Sequence, residues 1–76
     1  MRILVADRPY TLTFMATGQR YPLSSEEVRR ILGEYPVISM TRNRLTLPGH
    51  NTAEVRQRVR IEPATLGGGV SFTREK

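Results

Sequence analysis

The sequence predicts a small α+β domain, a β-grasp-like sheet of four or five strands with one short helix packed across one face, in the order ββαββ(β). Two kinds of pattern predict it. The segments "YTLTFMA" (10–16) and "AEVRQRVRIEP" (53–63) alternate apolar and polar residues as half-buried strands do, whereas "SSEEVRRILGEYP" (24–36) repeats its apolar residues at helical spacing. Length supplies the third constraint: 76 residues make one domain, residues 1–76, near the size at which a single core gives only marginal stability.

Taken in order, Arg2 to Ala6 ("RILVA") reads as a buried strand closed by the turn-prone Asp7-Arg8-Pro9. Tyr10, Leu12 and Phe14 then share one face of a second strand and Thr11, Thr13 and Met15 the other, so the first 16 residues are expected to form a hairpin. Thr17-Gly18-Gln19 turns the chain. The helix opens with a capping box, Ser24 and Glu27, with Leu23 and Val28 placed as a hydrophobic staple. Val28, Ile31, Leu32 and Tyr35 form its apolar stripe, Arg29 and Arg30 lie off it, and a helix from near Ser25 to Leu32 is expected to end at a Gly33 cap before Pro36.

Val37 to Leu47 is β-rich, and Pro48-Gly49-His50-Asn51 supplies turn chemistry ahead of the alternating stretch 53–63, which Pro63 ends. These two runs are expected to make a second hairpin. Leu66-Gly67-Gly68-Gly69 reads as a flexible connection, and Val70 to Thr73 as the last strand.

Composition narrows the function classes. There is no cysteine, which removes disulfides and thiolate metal sites, and no apolar run approaches the ~20 residues that span a bilayer. Met1 to Ala6 runs into Asp7 and Arg8 with no cleavable hydrophobic segment behind it, so a cytoplasmic protein without a membrane partner is the expectation. One histidine, one aspartate and six scattered glutamates offer no acid–base cluster, and Glu26 and Glu27 suit the positive end of a helix. Ser24 reads as a cap rather than a nucleophile. His50 has no companion ligands, and Gly67 to Gly69 is followed by neither the Lys-Ser/Thr nor the helix of a phosphate loop. No enzyme, cofactor or metal is expected.

The charge pattern does point somewhere. Formal charge is +5, and eleven of the twelve basic residues are arginine, with Lys76 the one lysine. Arginine's planar fork suits phosphate and carboxylate, although a GC-rich genome writes the same bias. In 53–63 Val55, Gln57, Val59 and Ile61 point one way and Arg56, Arg58 and Arg60 the other. If the strand holding Arg42 and Arg44 pairs with this one, five guanidinium groups gather on one wet surface, a footprint for nucleic acid or for an acidic or nucleoprotein surface. The competing explanation is that charges on an exposed strand guard it against pairing with other chains. Tyr10 and Phe14 are expected in the core while Tyr21 and Phe72 follow no pattern, which leaves no clear platform for stacking single-stranded bases.

The helix segment "SSEEVRRILGEYP" with the closing "GGGVSFTRE" resembles protein C of the PRTRC cassettes, small prokaryotic ubiquitin-like proteins of plasmids and other mobile elements, at Glu26, Glu27, Val28, Arg29, Tyr35, Pro36, Gly69 and Phe72. The opening "MRILV" also looks like ubiquitin. The resemblance implies a β-grasp fold, a protein partner and a neighbouring ThiF-like activating enzyme or JAB-type protease. Conjugation of the ubiquitin kind would need a terminus at Gly68-Gly69, behind which Val70 to Thr73 reads as a strand. The expectation is therefore a non-catalytic binding module of a phage or plasmid that uses Arg42, Arg44, Arg56, Arg58 and Arg60. Its alternatives are a ubiquitin-like partner in a modification cassette and a phage-encoded inhibitor of a host nucleoprotein such as an anti-CRISPR. An exposed edge strand would also allow two copies to pair.

Overall fold

Ser24 starts the helix in the way its sequence requires. In the computed structural model, which describes residues 2–48, 58–65 and 69–75, its Oγ accepts from the Glu27 N–H at 3.2 Å while its own N–H donates to Glu27 Oε1 at 2.8 Å. Helix α1 spans Ser25–Glu34. It runs through Gly33 and stops at Tyr35, whose N–H donates to Ile31 O at 2.9 Å, because Pro36 supplies no N–H for a further turn. The expected Gly33 cap is therefore corrected: the residue is helical, with no left-handed φ.

The described residues add seven strands to the helix: β1 (Arg2–Val5), β2 (Tyr10–Phe14), β3 (Arg20–Leu23), β4 (Ser39–Thr41), β5 (Arg44–Pro48), β6 (Arg58–Pro63) and β7 (Phe72–Glu75). They form an antiparallel five-stranded sheet in the order β3-β2-β6-β5-β4 and a separate antiparallel ribbon, β1-β7. The α+β class holds; the arrangement of the strands differs from the expected one.

The hairpin expected over the first 16 residues does not form. β1 pairs with β7, Val5 opposite Phe72 and Arg2 opposite Glu75, and β2 pairs with β3 and β6 instead. Between β1 and β2 the chain changes layer, a step tied by the Tyr10 hydroxyl donating to Ala6 O at 2.8 Å. β3, which no alternation announces, follows the turn at Thr17-Gly18-Gln19. Gly18 takes φ +80 there and donates to Phe14 O at 2.7 Å, a conformation that costs glycine nothing.

The β-rich run 37–47 contains two strands rather than one. β4 and β5 meet at the turn Arg42-Asn43, which has no positive φ and so lacks the twist that two-residue hairpins favour. β7 supports it: the N–H groups of Ser71 and Phe72 both donate to Arg42 O at 3.0 Å, and Ser71 N–H also reaches Asn43 Oδ1 at 3.2 Å. The expected pairing of β5 with the arginine strand is present, Leu45 opposite Ile61 and Leu47 opposite Val59, and Pro63 ends β6. The last strand begins at Phe72 rather than Val70. The turn expected at 48–51 is described only at Pro48, and the start of the alternating stretch, Arg56 included, and Gly67-Gly68 lie outside the described residues.

One face of the large sheet carries the core. Tyr10, Leu45, Leu47, Val59 and Ile61 are buried there against Val28 of the helix and Val5 and Phe72 of the ribbon, so α1 and β1-β7 together make the second layer. Arg29 ties the helix to β1: its Nη2 donates to Val5 O at 2.9 Å and to Asp7 Oδ1, which also accepts from Ser25 Oγ at 3.1 Å. The guanidinium bond first, then the Ser25 bond, hold the Asp7 carboxyl below the usual aspartate range. Burial pushes the Tyr10 phenol the other way, above the usual tyrosine value.

Candidate functional site

Antiparallel partners share a face, so the register defines what lies opposite the core. Across the middle of the sheet one row reads Arg20 (β3), Thr13 (β2), Arg60 (β6), Thr46 (β5), Ser39 (β4). The row beside it holds Pro22, Thr11 and Glu62. Arg58 follows on the other side, next to Pro48. Because strands alternate, this face takes the even-numbered arginines of β6 and the threonines of β2, and the apolar residues go to the other side. Helix and ribbon both lie on the core side, and none of the described elements covers the polar face.

Among the five arginines expected at the site, the structure gathers three: Arg44, Arg58 and Arg60. Arg42 is drawn out of the row into the β4–β5 turn, where its carbonyl is held by β7. Arg56 lies outside the described residues. Arg20 joins the face from an edge strand, opposite Thr13, which is itself opposite Arg60. Sequence patterning missed it because a single arginine beside Tyr-Pro gives no alternation to read; only the β2–β3 register brings it into line.

Glu62 sets the electrostatics. Its Oε2 lies 2.9 Å from Arg60 Nε, an ion pair off the line of a good hydrogen bond, and its Oε1 lies 3.5 Å from Arg44 Nε. A single carboxylate thus spans two guanidinium groups at their inner nitrogens. Among the described residues four arginines against one carboxylate leave the face positive. Beside Arg60, a shallow hollow of about 240 Å³ opens between Thr11, Thr13 and Arg20. The Thr11 and Thr13 hydroxyls and the Arg20 and Arg60 guanidinium groups line it together with the Glu62 carboxylate, so its donors suit phosphate oxygens and its one carboxylate opposes them.

The aromatic residues are elsewhere. Tyr10 and Phe72 are buried against each other, and Phe14 meets Tyr21 edge to face at 5.5 Å on the core side of β2 and β3. Tyr21 is half exposed there, away from the arginines. Among the described residues no group of three or more His, Cys, Asp or Glu side chains is placed to hold a metal ion. No helix among them is long and apolar enough to cross a membrane. Compared with known proteins, the chain matches no family model, no curated protein and no solved structure.

Proposed function

We propose that this protein is a non-catalytic binding module that holds a nucleic-acid duplex by its phosphate backbone against the polar face of the large sheet. The observation that carries the reading is the place of β6. Arg58 and Arg60 stand on the central strand, flanked by β2 and β5, and so have no edge to guard. The cost of keeping like charges in the middle of an uncovered face is offset when a polyanion neutralises them.

Threonine hydroxyls between the arginines add neutral donors, and the absence of aromatic rings on this face among the described residues favours backbone contact over base stacking. A small arginine-rich module of this kind suits a phage or plasmid, and a host nucleoprotein is a fitting target because it presents the same phosphates. The ubiquitin-like alternative draws support from the helix-over-sheet layout, though not from a terminal glycine pair. An adjacent ThiF-like gene would favour it.

The test is an anisotropy titration with a labelled DNA duplex at several salt concentrations. Four phosphate contacts predict a log–log slope of about −3.6. Changing Arg44, Arg58 and Arg60 together to alanine should abolish binding with the thermal midpoint kept within a few degrees. Duplex binding that survives the triple change overturns the proposal, and capture of acidic proteins without DNA binding at low salt assigns the face to a protein partner instead.

A further inference from the structure

On the other layer of the molecule β1 has one edge that no strand among the described residues pairs, and that edge faces a groove of about 830 Å³ between the strand and the C-terminal half of α1. We propose that this groove binds an acidic, extended peptide segment of a partner protein as an added strand beside β1. The surface is separate from the arginine face, so the two readings stand or fall independently.

The phase of the ladder shows what β1 offers. Ala6 N–H donates to Ser71 O, which makes Ala6 and Ser71 a hydrogen-bonded position in the antiparallel β1-β7 register. Alternation then turns the backbone groups of Arg2 and Leu4 toward β7 and those of Ile3 and Val5 away from it. Two observations agree: Val5 O is met from the groove side by Arg29, and the Phe72 N–H points away from β1 to Arg42 O. The N–H and C=O of Ile3 and the N–H of Val5 are therefore directed at the groove, a template for strand addition.

The groove also defines its occupant. α1 forms its far wall, so an occupant lies between strand and helix, a place that suits a lone extended segment better than the edge of a second folded sheet. Leu32, Tyr35 and Val37 give that wall apolar seats for alternate side chains. Among the described residues the charged side chains lining it are Arg2 and Arg29; each is ion-paired, to Glu75 and Asp7, and neither carboxylate is among the lining residues. Acidic residues at the other alternate positions complement this lining.

Gly33 supplies an independent sign. Glycine inside a helix is destabilising relative to alanine, and a Cβ at this position would meet nothing within 4 Å. No packing among the described residues explains the missing side chain. Gly33 lines the groove, and the open space beside it leaves room for another chain.

The experiment titrates isotopically labelled protein with an N-acetylated, C-amidated peptide of alternating glutamate and valine, reading amide shifts and hydrogen exchange. Binding by about 1 mM peptide should move the Ile3 and Val5 amides and slow their exchange. A lysine–valine counterpart, and a glutamate–valine peptide N-methylated at alternate residues, should each bind at least roughly tenfold more weakly. Gly33→Trp should fill the groove and remove binding, whereas Gly33→Ala should keep it. No shift at that concentration, shifts that map to β6 and β2, or equal binding by the N-methylated peptide overturns the proposal. So does a folded Gly33→Trp that binds like the unsubstituted protein.

Discussion

The ring of Phe72 lies 5.4 Å from that of Tyr10, centroid to centroid, with the planes 28° apart. Both side chains are buried, and through this contact the ribbon built from the two ends of the chain is joined to the five-stranded sheet. Truncating Phe72 to alanine should cost about 3–5 kcal/mol through lost burial and the cavity left behind. That is a large part of the ~4–11 kcal/mol expected of a domain this size. A urea titration should show the midpoint fall steeply while the slope is kept; a midpoint unchanged by Phe72→Ala would mean the ribbon is not part of the cooperative unit.

Glu62→Gln separates the electrostatics of the arginine face from its fold. The ion pairs to Arg44 and Arg60 are half exposed, so their loss should change stability by less than about 1 kcal/mol. Removing the carboxylate should nevertheless tighten duplex binding by roughly three- to tenfold and steepen its salt dependence, because both guanidinium groups become available to phosphate. Anisotropy at two salt concentrations is enough to read both effects, and weaker binding by the variant would count against the face.

The Asp7 clamp gives a dependence on pH with a defined sign. Its carboxyl is held below the ordinary aspartate value, about 3.9, chiefly by the bond from Arg29, so folding favours the ionised form. The stability this supplies is fully present above the ordinary value and is lost as pH falls through the lowered one. Thermal midpoints of the unsubstituted protein and Asp7→Asn should therefore differ at pH 7 and converge toward the acid end. A gap that widens as acid is added would contradict the clamp.

Gly33→Ala should stabilise the protein by about 0.5–1 kcal/mol, since the position is helical, its φ is negative and no atom stands where the new methyl group would go. For a domain of this length that corresponds to a rise in thermal midpoint of roughly 2–8 °C. Calorimetry checks it directly. A fall would show that glycine is needed by the helix itself.

Much of the structure was legible because it is decided by neighbours in the chain. Ser24 and Glu27 are three residues apart and cap the helix wherever it is placed; Val28, Ile31, Leu32 and Tyr35 define its apolar stripe by their spacing alone. The alternation in β2 and β6 likewise assigned Tyr10, Leu12, Phe14, Val59 and Ile61 to the core side and Arg58 and Arg60 to the other. The end of the helix was misread because a glycine can cap a helix or lie within it, and here the chain stays helical through Gly33 and stops at Tyr35, ahead of Pro36.

Pairing is the part that local pattern leaves open. A period of two says which way a side chain points and nothing about which strand lies beside it, and several antiparallel partners satisfy the same apolar face. Residues by themselves determined one capped helix, alternating strands and a surplus of arginine. Tertiary structure alone decided that Arg2 meets Glu75 rather than the second strand, that β6 lies at the centre of its sheet, and that Arg20 aligns with Arg60. The physical reason is that these choices are made by burial shared across distant segments: Val5, Val28 and Phe72 must cover one core together, and only the folded chain brings them to it.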